Sequence, residues 1–221
     1  MNRRPRILIA DNCSLVADGC KLILDQEFDV VDVLTNGRSL VALTRRIKPE
    51  GVILEIWLPQ LSGFDAATQI KQNSPLTKLL FLTARPDPNL AAEAFRCGAS
   101  GYVLKQHGAE EFRLAVRAVM RGGSYLSSLI ARETLEYLLR QPKQQSIEKE
   151  VTRRQSEILQ LLAEGNSMKE VANMLTIRPG TVAFHKYKMM ERLGIKTNAE
   201  LLQFAMRSRI SPRLEEWAVS A

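Results

Sequence analysis

The chain has 221 residues, enough for two domains, and a formal net charge of +7. Residues 1–140 carry 18 Lys and Arg against 15 Asp and Glu, and residues 141–221 carry 13 against 9, so the basic excess is concentrated C-terminally, as expected for contact with phosphates. No apolar stretch has the length of a membrane span, and three cysteines and two distant histidines show no metal-ligand spacing. We therefore expect a cytoplasmic protein with buried thiols and no membrane partner.

The N-terminal part alternates between short apolar runs and segments with helical spacing. Five strands that alternate with five helices predict a doubly wound, parallel (βα)5 sheet, an α/β fold. Continuous apolar runs such as GVIL and LLFL are typical of buried parallel strands. The predicted strands are 6–11, 28–34, 51–57, 78–83 and 101–105, and the predicted helices are 13–25, 37–47, 63–72, 88–97 and 109–121.

Polar side chains lie where these strands end. Asp11 and Asn12 follow the first strand, Glu55 lies in the third, and Thr83 and Lys105 end the fourth and fifth. In doubly wound folds the site lies beyond the carboxyl ends of the strands. The pattern therefore predicts one pocket that contains all five side chains.

Several motifs resemble the receiver domain of response regulators. They are ILIAD-N, the P-x-x-S-G-F loop at Pro59–Phe64, LTA and GASGYVLK, and the resemblance covers about Arg6 to Gly123. It implies that two acidic residues after the first strand and a third-strand aspartate hold Mg²⁺. It also implies that this aspartate accepts a phosphoryl group from a histidine kinase. Threonine, lysine and a mobile aromatic residue complete the family's site, and they match Thr83, Lys105 and Tyr102.

Two positions depart from the family at its chemical centre. Glu55 occupies the phosphoacceptor position and Asn12 a metal-binding acidic position. Glutamate adds about 1.5 Å of reach, which moves its carboxylate off the in-line position that phosphoryl transfer needs. The amide removes one negative charge from a Mg²⁺ site, so Asp11 and Glu55 are weak metal ligands and no cofactor is expected. Glu55 is either inert or a partial mimic of a phosphoryl group, and the sequence leaves both open.

A connecting segment follows the receiver-like part. Residues 127–140 have helical spacing, with Leu135, Leu138 and Leu139 as an apolar stripe. Residues 141–148 are polar and broken by proline, which indicates an exposed linker.

Three short helices are predicted in close succession after the linker. Thr152 is a candidate N-cap for the first, and Ser167 with Glu170 forms a capping box for the second. Pro179 suits a helix start, and the third helix is predicted from Thr181 to Leu193. Two helices joined by a short turn, the second of them basic, are typical of a helix that enters the major groove of DNA.

The same stretch resembles the LuxR-type helix-turn-helix, also called the NarL/FixJ output domain. The matching motifs are G-x-S-x-K-E-V-A from Gly165, L-x-I-x-x-x-T-V-x-x-H from Leu175, and R-L-G from Arg192. We therefore divide the chain into a receiver-like domain (1–123), a linker helix and linker (124–148), a DNA-binding domain (149–212) and a tail (213–221).

The third helix of this domain supplies the predicted DNA contacts. Ala183, Phe184 and Tyr187 lie where base edges are read, so readout leans on apolar contact with thymine methyl groups. Cationic side chains facing outward would contact phosphates, whereas His185 is either near the DNA backbone or a core residue. The full predicted set is Thr181, Ala183, Phe184, His185, Lys186, Tyr187, Lys188 and Arg192.

The sequence thus predicts a transcription regulator that binds double-stranded DNA as a homodimer, performs no catalysis and does not depend on phosphorylation. One alternative retains phosphorelay signalling through a histidine kinase, another protein regulator or Mg²⁺. A second alternative is a protein-interaction adaptor, which titration with random duplex at low and high salt distinguishes from a DNA-binding protein.

Overall fold

The structure is a computed structural model that describes residues 3–140, 151–208 and 210. The chain divides into two compact units, which are described separately below. The predicted linker at 141–148 and the tail at 213–221 lie outside the described residues. Within the described ranges, no helix is both long enough and apolar enough to cross a membrane.

A parallel sheet organises the first unit and confirms the predicted α/β class. In the described part of this unit the sheet has six strands in the order β2-β1-β3-β4-β5-β6, and every pair is parallel. Every residue of β3 and β5 is buried, which explains their uninterrupted apolar sequences. The strands are β1 (Arg6–Ala10), β2 (Asp29–Leu34), β3 (Gly51–Leu54), β4 (Lys78–Thr83), β5 (Gly101–Leu104) and β6 (Tyr125–Leu126).

Two strand predictions were wrong. The third strand ends at Leu54 instead of residue 57, so Glu55 follows the strand. Its apolar sequence continues because Ile56 and Leu58 are fully buried without being part of the strand. The sixth strand was missed because two residues carry no recognisable alternation.

Helices cover the sheet, and their predicted positions are confirmed to within two residues. Asn36 caps the second helix because its side chain accepts a hydrogen bond from the Ser39 N–H. The prediction of buried thiols holds for Cys20 but is wrong for Cys13, which precedes the first helix and is exposed. The helices are α1 (Ser14–Leu24), α2 (Gly37–Ile47), α3 (Gly63–Asn73), α4 (Pro88–Arg96), α5 (Gly108–Met120) and α6 (Ser128–Arg140), with a 3-10 turn at Lys105–His107.

Helix α6 packs against α4 with a face that the sequence did not indicate. Ile130 and Thr134 are buried, whereas the predicted stripe of Leu135, Leu138 and Leu139 is exposed. The spacing of the three leucines therefore identified an apolar side of the helix that is not its packed side.

The second unit contains four helices within residues 151–208, and each of three capping boxes fixes a helix start. The boxes pair Thr152 with Gln155, Ser167 with Glu170, and Thr197 with Glu200. Two apolar clusters form the core, one around Ile158 and Val171 and one around Leu159 and Met189. The helices are α7 (Arg153–Ala163), α8 (Met168–Met174), α9 (Pro179–Leu193) and α10 (Asn198–Arg207).

Candidate functional site

The predicted pocket residues converge at one edge of the sheet. Asp11 follows β1, Glu55 follows β3, Thr83 ends β4, and Lys105 begins the 3-10 turn after β5. Because these strands are parallel and adjacent, their carboxyl ends meet at the same edge. Asn12 also follows β1, but it is exposed.

Lys105 joins two buried carboxylates. Its Nζ lies 2.7 Å from Asp11 Oδ2 and 2.7 Å from Glu55 Oε2. The side chains of Asp11 and Glu55 are 3% and 7% exposed, and that of Lys105 is 20% exposed. Burial disfavours the charged lysine, but the two carboxylates outweigh this effect and raise the pKa of Lys105. The three residues therefore form a charge cluster, which we call the carboxylate cluster, with a cation fixed between two anions.

The second oxygen of each carboxylate in this cluster also has a protein donor. The Cys13 N–H donates to Asp11 Oδ1 over 2.9 Å, and the Ile56 N–H donates to Glu55 Oε1 over 2.6 Å. The Glu55 side chain thus folds back onto the backbone of the next residue. Gly63 leaves room for this loop, because a Cβ there would lie 2.3 Å from the Glu55 carbonyl oxygen.

A Mg²⁺ site does not fit these residues well. All four oxygens of Asp11 and Glu55 accept hydrogen bonds from protein donors, and one donor is the Lys105 cation, which would repel a metal ion. Burial, reinforced by Asp11, raises the pKa of Cys20 to about 12, so its neutral thiol is a poor ligand. Among the described residues, no group of three or more His, Cys, Asp or Glu side chains is arranged to hold a metal ion.

Thr83 and Tyr102 both bind the loop that follows β4. Each is completely buried. The Tyr102 hydroxyl donates to the Arg85 carbonyl over 2.8 Å, and the Arg85 N–H donates to Thr83 Oγ1 over 3.4 Å. The two side chains therefore bind the N–H and the carbonyl group of Arg85, and the tyrosine ring lies inside the protein.

A polar cluster next to the site was not predicted. Ser127 Oγ accepts a hydrogen bond from the Leu104 N–H over 3.1 Å and donates to Glu111 Oε1 over 2.6 Å. His107 Nδ1 lies 2.8 Å from the same carboxylate oxygen. Burial opposes ionisation of Glu111, but the hydrogen bonds from His107 and Ser127 outweigh it and lower the pKa of Glu111. Ser127 thus fixes the backbone directly before Lys105. In the sequence, the only sign of this role would have been that Ser127 directly follows strand β6, which was not predicted.

Helix α9 presents the predicted DNA-contacting residues, with one exception. Phe184 and Tyr187 are 59% and 58% exposed, and Lys188 and Arg192 are also exposed. The Lys188 Nζ lies 5.4 Å from the centre of the Phe184 ring, so a cation and an aromatic side chain share one surface. Thr181, Ala183 and His185 are half-buried at its border.

Lys186 is the exception, and its predicted outward position was wrong. It is only 9% exposed. It follows the buried Val182 by four residues and precedes the buried Met189 by three, so it lies on the inner face of α9. Its charge suggested a surface position, but the helical repeat determines the side on which it lies.

Comparisons with known protein families match both units. The family described as response regulator receiver domain matches residues 7–117. The family described as bacterial regulatory proteins, luxR family, matches residues 149–205.

Individual proteins and solved structures are also similar to this chain, over its full length or over a part of it. The oxygen regulatory protein NreC of Staphylococcus aureus strain JH9 is 30% identical, covering 93% of this chain and 98% of NreC. A LuxR-family two-component response regulator from Aurantimonas sp. SI85-9A1 is 27% identical with a TM-score of 0.59, covering 62% of this chain and 99% of that protein. The response regulator RcsB of Salmonella typhimurium is 23% identical with a TM-score of 0.61, and the match covers 93% of this chain and 98% of the RcsB chain. The RcsB chain in a complex with DNA is 22% identical with a TM-score of 0.57, and the match covers 92% of this chain and 98% of that chain.

Proposed function

Because this chain belongs to the LuxR-type (NarL/FixJ) response regulators, which are DNA-binding transcription regulators, we propose that it controls transcription without being phosphorylated. The observation that carries this proposal is the carboxylate cluster, in which Lys105 contacts both Asp11 and Glu55 at 2.7 Å. We assign regulation and dimerisation to residues 1–123 and DNA binding to residues 149–212, and we assign no catalytic reaction to either.

The geometry of Glu55 supports independence from phosphorylation. Its two oxygens face the Lys105 cation and the Ile56 N–H, so neither is free to attack a phosphorus atom in line with a leaving group. A phosphodonor carries negative charge, which would have to approach two buried carboxylates that share one lysine. Asn12 is neutral and exposed and supplies no third anionic ligand to gather a metal ion at this site.

Glu55 is also more than an inert residue in this proposal. It supplies half of the negative charge that holds Lys105 at the edge of the sheet. Its one charge is smaller than that of a phosphoryl group, and the Thr83 hydroxyl binds Arg85 instead of Glu55. We therefore assign Glu55 to holding one fixed state of the receiver-like unit.

Treatment with acetyl phosphate and Mg²⁺ tests this proposal. The mass of the intact protein and its affinity for a selected DNA duplex should both stay unchanged. The matched control is the double variant Glu55→Asp with Asn12→Asp, which restores the family's acidic residues and should gain one phosphoryl group. Incorporation of one phosphoryl group into the natural protein, followed by tighter DNA binding, would instead establish phosphorelay control.

We assign DNA recognition to the outer face of α9. Phe184 and Tyr187 present apolar surface for thymine methyl groups, and Lys188 and Arg192 supply the positive charge for phosphates. Selection of bound duplexes from a random pool should therefore yield sites with fixed A·T pairs. Phe184→Ala should relax selection at one of these pairs, whereas equal weakening on all duplexes would show that the ring reads no base.

The protein is proposed to act as a homodimer on two half-sites about one helical turn apart. One small domain offers few base contacts, so two linked domains gain affinity by avidity. RcsB dimers have been observed bound to DNA, which supports the proposal by family relationship. Footprinting should protect two half-sites together, and protection of a single half-site at saturation would contradict it.

A further inference from the structure

A groove lies at the opposite edge of the sheet from the carboxylate cluster. Its volume is about 510 Å³, which is in the range of small-molecule sites. Gly51 and Lys78 are paired neighbours at the starts of β3 and β4, and Lys78 lines the groove. The chain segments at Lys48–Glu50 and Asn73–Lys78 form its walls, and Met120 at the end of α5 completes the lining.

The groove carries positive charge that its own residues do not neutralise. Lys48 and Lys78 both line it. The only acidic residue among its described lining residues is Glu50, and this carboxylate accepts hydrogen bonds from the N–H and Nε of Arg6. Burial, together with the nearby charge of Lys78, lowers the pKa of the neighbouring Lys71.

The groove also contains a buried hydroxyl with no hydrogen-bond partner. Ser74 is 7% exposed, and its Oγ is buried without a donor or acceptor in contact. Buried polar groups are almost always paired, so the unpaired hydroxyl of this lining residue leaves a hydrogen bond available to a ligand for which the groove wall adjusts. The remaining surface is largely apolar, with Pro75, Leu76 and the flexible Met120.

We propose that this groove binds a small free amphipathic anion, with an apolar body and one carboxylate or sulfonate group. The anionic group would lie between Lys48 and Lys78 and accept a hydrogen bond from Ser74, while the apolar body would lie on Leu76 and Met120. This site is independent of the proposed DNA contacts on α9. It also has a route to the carboxylate cluster, because β3 and β4 begin at the groove and end beside Glu55 and at Thr83.

Titration of the full-length, nitrogen-15-labelled protein with decanoate tests the site. Amide shifts should concentrate at Gly51, Ser74, Leu76 and Lys78 and should saturate with one site. Decanol, which has the same chain without the charge, should bind at least tenfold more weakly, and decyltrimethylammonium should not compete.

Variants then separate this groove from unspecific binding. Lys48→Gln with Lys78→Gln should weaken decanoate binding about tenfold, since two charge-assisted contacts are lost. The matched control, Lys21→Gln with Lys169→Gln, removes two exposed lysines elsewhere and should leave the affinity within twofold. Ser74→Ala should fold normally, because its hydroxyl has no partner to lose, and should bind more weakly.

Three results would overturn the proposal. They are shifts that map outside the groove, equal binding of decanoate and decanol, and equal loss of affinity in the two double variants. The first of these is measured on the natural protein, so the test does not depend on the folding of any variant.

Discussion

The carboxylate cluster and the outer face of α9 differ in how their charged groups are buried and hydrogen-bonded. In the cluster, Asp11 and Glu55 are buried and every carboxylate oxygen has a protein donor. On α9, Lys188 is exposed next to Phe184, and Arg192 is exposed further along the helix. Charges whose hydrogen bonds are completed internally stabilise one structure, whereas an exposed charge such as that of Lys188 is accessible to a binding partner. The comparison sets the structural role of the carboxylate cluster against the DNA-binding role that we propose for the outer face of α9.

Lys105→Met should cause the largest loss of stability, because it leaves two buried carboxylates without their cation. Removing one partner of a buried pair costs about 3 kcal/mol of the free energy of unfolding. Urea unfolding of the full chain, followed by circular dichroism, measures this loss. Arg132→Met is the control, since the Arg132 side chain is 88% exposed and its pair with Glu136 should contribute under about 0.5 kcal/mol.

Adding Glu55→Gln to Lys105→Met should recover part of the loss, because one of the two uncompensated negative charges is gone. A loss below about 1 kcal/mol for Lys105→Met alone would show that the cluster is not a structural element.

Ser127→Ala tests whether the polar cluster behind Lys105 is equally structural. The change removes the acceptor of the buried Leu104 N–H and a donor to Glu111, which should cost about 2 kcal/mol. Thermal and urea unfolding measure it, with the exposed Ser124→Ala as a neutral control. Equal stability of the two variants would mean that the contact of β6 with β5 does not depend on this hydroxyl.

Two single substitutions on α9, one of an exposed lysine and one of a largely buried lysine, test which charge contributes to DNA binding. Lys188→Met should weaken binding to every duplex about fivefold and flatten the salt dependence by about one unit, because one phosphate contact is lost. Lys186→Met removes a charge from a side chain that is only 9% exposed, with its Nζ 5.5 Å from the centre of the Tyr187 ring, and should change both quantities less. Binding measured at several salt concentrations distinguishes them, and equal effects would refute the division of α9 into two faces.

The smallest effect on stability is expected when the pH is lowered and the partly exposed ion pair between Arg117 and Glu27 is weakened. The hydrogen bond from Arg117 lowers the pKa of Glu27 below its ordinary value of 4.5, although slight burial opposes this. A lowered folded-state pKa contributes stability above the ordinary value, and this contribution is lost as the pH falls through the folded-state pKa. The difference in urea midpoint between the natural protein and Arg117→Met should therefore shrink between pH 7 and pH 3. A constant difference would assign the effect to packing of the arginine stem.

The sequence predicted the convergence of Asp11, Glu55, Thr83 and Lys105, because the alternating pattern predicts parallel strands, and in such folds the site lies beyond their carboxyl ends. It did not predict the fold-back of Glu55 onto the Ile56 N–H, since this depends on a side-chain conformation that the residue type does not specify. It also gave the third strand three residues too many. Apolar sequence reports burial, and buried loop residues such as Ile56 share that signal with strands.

Two errors arose where residue type was given more weight than position. Lys186 was placed outside because it is charged, although its spacing from Val182 and Met189 puts it on the inner face. The apolar stripe of α6 was identified from its leucines, although Ile130 and Thr134 form the side of the helix that is buried. Helical spacing fixes which residues share a face, but tertiary packing decides which face is covered.

The order of strands in the sheet has a consequence for how the protein is made. After β1 and β2, each of β3, β4, β5 and β6 adds to the growing outer edge, so no strand has to insert between two that are already paired. The carboxylate cluster, however, cannot form until Lys105 has been synthesised, and Lys105 leaves the ribosome about fifty residues after Glu55. At roughly 5–20 residues per second this delay lasts roughly 3–10 s. During that interval the nascent chain has two acidic groups that cannot yet be enclosed, which ties completion of the receiver-like unit to synthesis of its last strands.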